Sequence, residues 1–205
     1  MTGRREPQHA GSVDTLNLHA IWPRSRANGP GIRAVVWFQG CTLGCPGCFN
    51  PATHAREGGR MADTETVIQR IVAQERDIEG ITISGGEPLE QPQALLRLLS
   101  GIRMRTHLSI LLFSGYTMAE IRQMSDGPKI LDRVDVLIAG RYVQAGRLTR
   151  GLRGSAGQAV HLLTDRYSLW EIEAVPSAEL LIDADGNVSI TGIQPPFIAT
   201  SSTQR

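Results

Sequence analysis

Lysine is nearly missing from this chain: of its 21 basic residues only Lys129 is a lysine, and the arginines are scattered against 20 acidic residues. No basic stripe forms, and a near-neutral balance argues against a nucleic-acid partner, whose phosphates reward clustered cations. Long apolar runs are missing too. None approaches the ~20 residues needed to span a bilayer, so a soluble protein with no membrane contact is expected. The opening MTGRREPQHAGS has positive charge with no apolar region behind it, unlike a secretory leader. It predicts a flexible N-terminal tail over 1–12 and a cytoplasmic protein. Cysteine is scarce, with three residues in all. An odd number packed into eight positions is a poor disulfide framework in a reducing compartment, which leaves metal or redox chemistry. Repeats and low-complexity linkers are absent as well. A 205-residue chain then suits one domain, expected over 13–196, with a polar C-terminal tail at 197–205.

What is present is an alternation of strand and helix patterns. DTLNLHAIW predicts a first strand, broken at Pro23, and the β-branched IRAVVWF from Ile32 to Phe38 predicts a strand buried on both faces. From Asp63 to Glu75, Val67, Ile68, Ile71 and Val72 fall at helical spacing behind a cap at Asp63 or Thr64. GITISGG reads as a short strand, QPQALLRLLSGIR as a helix with proline near its start, LSILLFSG as strand, TMAEIRQM as a short helix and VDVLIAG as strand. Such alternation predicts an α/β domain built of βαβ units, with functional residues at the C-terminal ends of parallel strands. A closed eight-unit barrel takes ~250 residues, and only four or five strands are available. A partial, open (βα) barrel is therefore expected. Near the end, two runs flanking Asp185-Gly186 predict a C-terminal β-hairpin with a type I′ turn.

All three cysteines lie in GCTLGCPGCFN at the end of the second strand, as Cys41, Cys45 and Cys48. Glycines at 40, 44 and 47 free the backbone to turn the sulfurs inward. A structural zinc ion would want a fourth protein ligand, for which His54 is available. Inert buried thiols would not need so tight a spacing in a glycine-rich loop. An iron–sulfur cluster takes cysteine thiolates, and with three ligands leaves one iron open to a small molecule.

About 40 residues on, SGGEP offers Ser84, Gly85, Gly86 and Glu87 at a strand end. The glycines allow close backbone approach and Glu87 can accept a charge-assisted hydrogen bond from an ammonium group. Taken alone this is an ordinary turn before a helix. Ser114 in LLFSGYT and Arg141 in VLIAGRY lie at the next two strand ends. Each has a bland reading beside its functional one, a capping serine and a surface arginine.

The spacing C-x3-C-x2-C is the signature of the radical S-adenosylmethionine (SAM) superfamily, and with the downstream GGE the chain resembles that superfamily. The resemblance implies a [4Fe-4S] cluster on Cys41, Cys45 and Cys48, whose unique iron is chelated by the methionine moiety of SAM. It implies that SGGE receives the SAM amino group, and offers Ser114 and Arg141 for a ribose or carboxylate. Reductive cleavage would then give a 5′-deoxyadenosyl radical, with the protein positioning the cofactors and excluding water.

From Asn28 to His54, NGPGIRAVVWFQGCTLGCPGCFNPATH resembles the anaerobic ribonucleotide reductase activating enzymes. They share the GPGIR lead-in, the CPGC core containing Gly47 and the pair Phe49-Asn50. The likeness continues in FSGYT, DVLIAGRYV, RGSAGQ and DGNVSITG, and the chain departs from the family pattern at Ala139 and Gly157. It implies an oxidoreductase that abstracts a Cα hydrogen from a glycine of a large glycyl-radical enzyme, fed by a one-electron reductant such as flavodoxin or ferredoxin. The alternatives are a radical SAM enzyme acting directly on a peptide, protein or small molecule, and a non-enzymatic cluster- or zinc-binding module.

Overall fold

The computed structural model describes residues 14–148, 150–182, 185–186 and 188–193. The expected tails at 1–12 and 197–205 lie outside the described residues. A seven-stranded sheet forms the body, in the order β3-β1-β2-β4-β5-β6-β7. Its parallel centre is β2 (Arg33–Phe38), β4 (Gly80–Gly85), β5 (Ser109–Ser114) and β6 (Val136–Ala139). These four are the open half-barrel expected from the strand count. Both margins are antiparallel: β1 (Thr15–Ser25) and β3 (Arg60–Asp63) on one side, β7 (Ala159–Leu162) on the other.

The first strand differs from expectation at Pro23, where a break is expected. It pairs antiparallel with β2, so it is not a barrel stave. It also runs through Pro23 to Ser25, because the β1–β2 register slips between Trp22 and Ser25. A proline has no N–H to give a ladder, and a bulge is where its absence costs least.

Helices cover one face of the sheet. In α1 (Thr64–Val72) the Asp63 side chain accepts from the Thr66 N–H, which caps the helix, and Val67, Ile68 and Ile71 face inward. In α2 (Pro92–Arg105), Leu95, Leu98, Leu99 and Ile102 do the same. They meet Val36 and Phe38 of β2, Ile81 and Ile83 of β4, and Ile110 and Leu112 of β5 in one continuous core. The two helices approach closely at Gly101, where a Cβ would stand 2.4 Å from Cδ1 of Ile68. Shorter helices α3 (Met118–Gln123) and α4 (Gly127–Leu131) complete the layer.

Because strand side chains alternate, the residues between these point to the opposite face. There Leu111, Val136 and Ile138 pack on Leu152 and on Ile172 of α5 (Leu169–Glu173), but only over part of the sheet. The remainder of that face, toward the C-terminal strand ends, is hollow. The hairpin of β8 (Ala178–Ile182) and β9 (Val188–Gly192) borders this hollow. Its register pairs Ile182 with Val188, so five residues connect the strands instead of the two that Asp185-Gly186 suggested.

At the other end of the hollow face Arg33 closes the floor. It is fully buried, and the five N–H groups of its guanidinium are shared among six oxygens, the Thr82, Ser109 and Tyr167 hydroxyls and the Pro30, Ile81 and Ser109 carbonyls. All are neutral oxygens, and they join β2, β4 and β5 at their N-terminal ends. Gly29 makes room, since a Cβ there would lie 2.6 Å from Cδ of Arg33. Replacing Arg33 by alanine orphans these acceptors and opens a void, and is expected to lower the unfolding free energy by about 3–5 kcal/mol in a urea titration. A loss under about 1 kcal/mol would show that the floor is not held by this side chain.

Candidate active site

The cysteine loop leaves the C-terminal end of β2 and is held by backbone bonds on both flanks. Gly40 N donates to Thr53 O at 2.8 Å and Cys41 N to His54 O at 3.0 Å. Cys48 N closes a tight turn on Cys45 O at 3.2 Å, and Asn50 N points at the Cys48 sulfur at 3.5 Å. All three cysteines are free, half-buried thiols. They line one cavity of about 330 Å3 together with Trp37, Ser84, Gly85, Gly86, Glu87 and Ser114.

Does this donor set fit an iron–sulfur cluster? Three unpaired thiols on one glycine-bent loop facing one cavity is the right chemistry. Burial pushes the Cys41 thiol up, with Glu87, Glu90 and Cys48 adding to the rise, so a bound cation would be needed to hold its thiolate form. Among the described residues no group of three or more His, Cys, Asp or Glu side chains is set to hold a single metal ion. His54 borders the same cavity.

The glycine pair of SGGEP serves a close approach between backbones. Gly85 has φ +106°, and a Cβ on it would stand 2.5 Å from Phe38 O; one on Gly86 would stand 2.3 Å from Gly40 O. With no side chains there, Gly86 N donates to Phe38 O at 2.8 Å and Glu87 N to Gly40 O at 2.9 Å. The loop after β4 is thus sewn to the start of the cysteine loop.

Glu87 is 1% exposed. Its carboxylate accepts from Leu89 N at 3.0 Å, Ser114 Oγ at 3.0 Å and Gly115 N at 2.7 Å. Burial nonetheless pushes its pKa up to about 7, against the hydrogen bonds that favour the charged form. Ser114 lies at the cavity, but its hydroxyl donates to Glu87 and accepts from Tyr116 N at 3.0 Å. It holds Glu87 in place.

Arg141 and Gly47 lie outside the cavity lining. The Arg141 guanidinium donates to Gly115 O at 2.8 Å and to Glu120 at 2.7 Å, and stacks over the Tyr116 ring at 4.7 Å. The Thr117 N–H and Arg141 hold the Glu120 carboxyl down at about 2, so this arginine is committed to the first turn of α3. It is not poised to clamp a ligand carboxylate. Gly47, at φ +70°, has the Gln144 side chain 2.6 Å from where a Cβ would be. That contact, and its left-handed turn, account for a glycine there.

Phe49 and Asn50 do border the cavity. The Phe49 ring packs on Tyr142 with centroids 4.7 Å apart, lies 5.0 Å beneath the Arg147 guanidinium and leaves no space for a Cβ on Gly154. Gln158 ties this wall together: its side-chain oxygen accepts from Gly154 N and Ser155 N, and its amide donates to Gly140 O. Tyr142, Arg147 and Gln158 were not singled out from the sequence, where they are ordinary loop residues. Tyr142 lies in the GRYV segment and Gln158 in RGSAGQ, which was the available signal for those two; Arg147 lies in neither.

A family profile described as a 4Fe-4S single cluster domain matches residues 27–161. The anaerobic ribonucleoside-triphosphate reductase-activating protein of Vibrio cholerae is 32% identical over 158 residues, covering 73% of this chain and 99% of the relative. The protein of the same description from Escherichia coli K12 is 31% identical over 156 residues, with 72% and 99% coverage. The pyruvate formate-lyase-activating enzyme of Clostridium pasteurianum is 40% identical over 86 residues, 40% of this chain and 36% of that one.

Glu87 makes the cluster-free protein pH-sensitive. Its folded-state value lies above the ordinary 4.5, so its contribution to stability is complete below about pH 4.5 and is lost as pH rises through about 7. Glu87→Gln cannot titrate. Across that window wild-type stability should fall relative to the variant by up to roughly 3 kcal/mol, and parallel pH–stability curves for the two would rule the buried titration out.

Proposed function

The chain belongs to the family of anaerobic ribonucleoside-triphosphate reductase-activating proteins and carries its 4Fe-4S single cluster domain, and from this we propose that it generates a glycyl radical on an anaerobic ribonucleotide reductase. The observation that carries the reading is the convergence of three free thiols and the SGGE strand end on one cavity. Cys41, Cys45 and Cys48 would hold the cluster through their sulfurs, which line the cavity. When bound, the cluster and SAM supply one-electron cleavage of the sulfonium to a 5′-deoxyadenosyl radical.

The chain's own residues bind, orient and exclude water. Ser84, Gly85, Gly86 and Glu87 line the side of the cavity toward the cysteine loop and take the methionine end of SAM, Glu87 offering acceptor oxygens to its ammonium group. Ser114 acts through Glu87 and Arg141 through the turn after β5, so both position the site from behind. Phe49 and Asn50 wall the cavity beyond Cys48, with Tyr142 against the Phe49 ring. Trp37 and Phe113, from β2 and β5, give the cavity an apolar wall on the sheet side, which protects a radical from water.

The electron comes from a one-electron protein donor such as flavodoxin or ferredoxin, in the cytoplasm. Among the described residues no helix is long and apolar enough to cross a membrane. The partner's glycine reaches the hollow face on an extended loop, since a glycine Cα in a folded core could not enter a cavity of this size.

After anaerobic reconstitution with iron, sulfide and a strong reductant, the wild-type protein should cleave SAM to 5′-deoxyadenosine, and Cys45→Ala should lose both cluster absorbance and cleavage. Retained cleavage in that variant would sink the ligand assignment. With anaerobic ribonucleotide reductase added, a glycyl-radical signal should appear by electron paramagnetic resonance. SAM cleavage with no such signal would point to a different hydrogen donor.

A further inference from the structure

The three cysteine arms are not held alike. Cys45 and Cys48 share a tight turn, whereas Cys41 is bracketed from outside the loop by two adjacent residues of the segment after SGGEP. Before Cys41, the Gln91 amide donates to Gln39 O at 3.0 Å. After it, Glu90 receives Thr42 N at 2.7 Å and the Thr42 hydroxyl at 2.6 Å on the same oxygen, Oε1. The second Glu90 oxygen accepts from Arg56 at 3.2 Å. The Glu90 side chain is 10% exposed, while Arg56 is largely in solvent.

An ion pair with one partner in water contributes little by itself. A carboxylate accepting a backbone N–H and a hydroxyl together is a stronger and more directional contact. Thr42 is the residue after Cys41, so fixing its N–H fixes the peptide plane that leads out of the ligand. Arg56 keeps the carboxylate turned this way, and its aliphatic stem lies over Gly40, where a Cβ would stand 3.1 Å from Cγ of Arg56.

We propose that Glu90 is a positioning residue for the Cys41 sulfur: with Gln91 it sets the Cys41 arm of the loop in the geometry the cluster requires before any iron is bound. This rests on the reading of Cys41 as a cluster ligand. The effect is one of hydrogen-bond geometry, not of charge, and Gln at this position keeps the acceptor while removing the charge.

Wild type, Glu90→Ala and Glu90→Gln are compared in two assays. In the cluster-free protein, alkylation by iodoacetamide is followed by peptide mass spectrometry as the ratio of Cys41 to Cys48 modification, Cys48 serving as the internal control against general unfolding. After anaerobic reconstitution, iron release to a chelator is timed. Glu90→Ala is expected to raise the Cys41/Cys48 ratio and to release iron about tenfold faster, as loss of the hydrogen bonds from Thr42 implies. Glu90→Gln is expected to stay near wild type in both. Wild-type behaviour of Glu90→Ala overturns the proposal, and so does a Glu90→Gln that behaves like Glu90→Ala, which would make charge the cause. A wild-type protein that takes up no cluster would sink the functional reading, and the alkylation ratios would still decide whether Glu90 fixes the Cys41 arm.

Discussion

One buried carboxylate joins the three strand ends that make the site. Through its backbone Glu87 is bonded to Gly40 at the root of the cysteine loop, and through its side chain to Ser114 and Gly115 after β5. Strands β2, β4 and β5 are adjacent and parallel, so their C-terminal ends lie side by side. Register alone brings them near each other, and the carboxylate fixes the loops that leave them. Burying it raises its pKa, a cost that the surrounding N–H and hydroxyl donors partly offset.

That arrangement depends on a rigid sheet behind it. The helix face is filled with branched aliphatic side chains that are closely packed, and such a layer resists small displacements. The opposite face is filled only in part, by Leu152, Ile172 and Val175 on β5 and β6, and is closed at the bottom by the Arg33 network. A cavity remains where neither filling reaches. Its position at the C-terminal ends of parallel strands is where open α/β sheets place ligands, and its walls come from loops, whose conformation the sheet constrains only at their roots.

Much of the helix layer and the parallel centre was legible, because α1 and α2 have long runs of 3.6-residue period and β2, β4 and β5 are short apolar runs ended by glycine. Four elements were not read. β3, β7, α4 and α5 are four or five residues each, too short for a period to stand out, and β3 and β7 form only because a sheet edge is there to receive them. Around Asp185-Gly186 the hairpin register, with the Leu180–Ile190 and Ile182–Val188 pairs, leaves five residues between the strands instead of two.

The sequence by itself determined the chemistry: three thiols at C-x3-C-x2-C lie within one loop, where spacing along the chain specifies them, and the glycine pair before Glu87 is a short motif of its own. It also determined the family, because those short segments recur in order. Only the tertiary structure decided what the remaining polar residues do. Arg141 turns to Glu120, Ser114 serves Glu87, and Glu90 reaches Thr42 across 48 positions. Such partners lie far apart in the chain and meet only after strand order and register have set which loop ends face each other. Residue type fixes what a side chain can bond, and the fold fixes which partner is within reach.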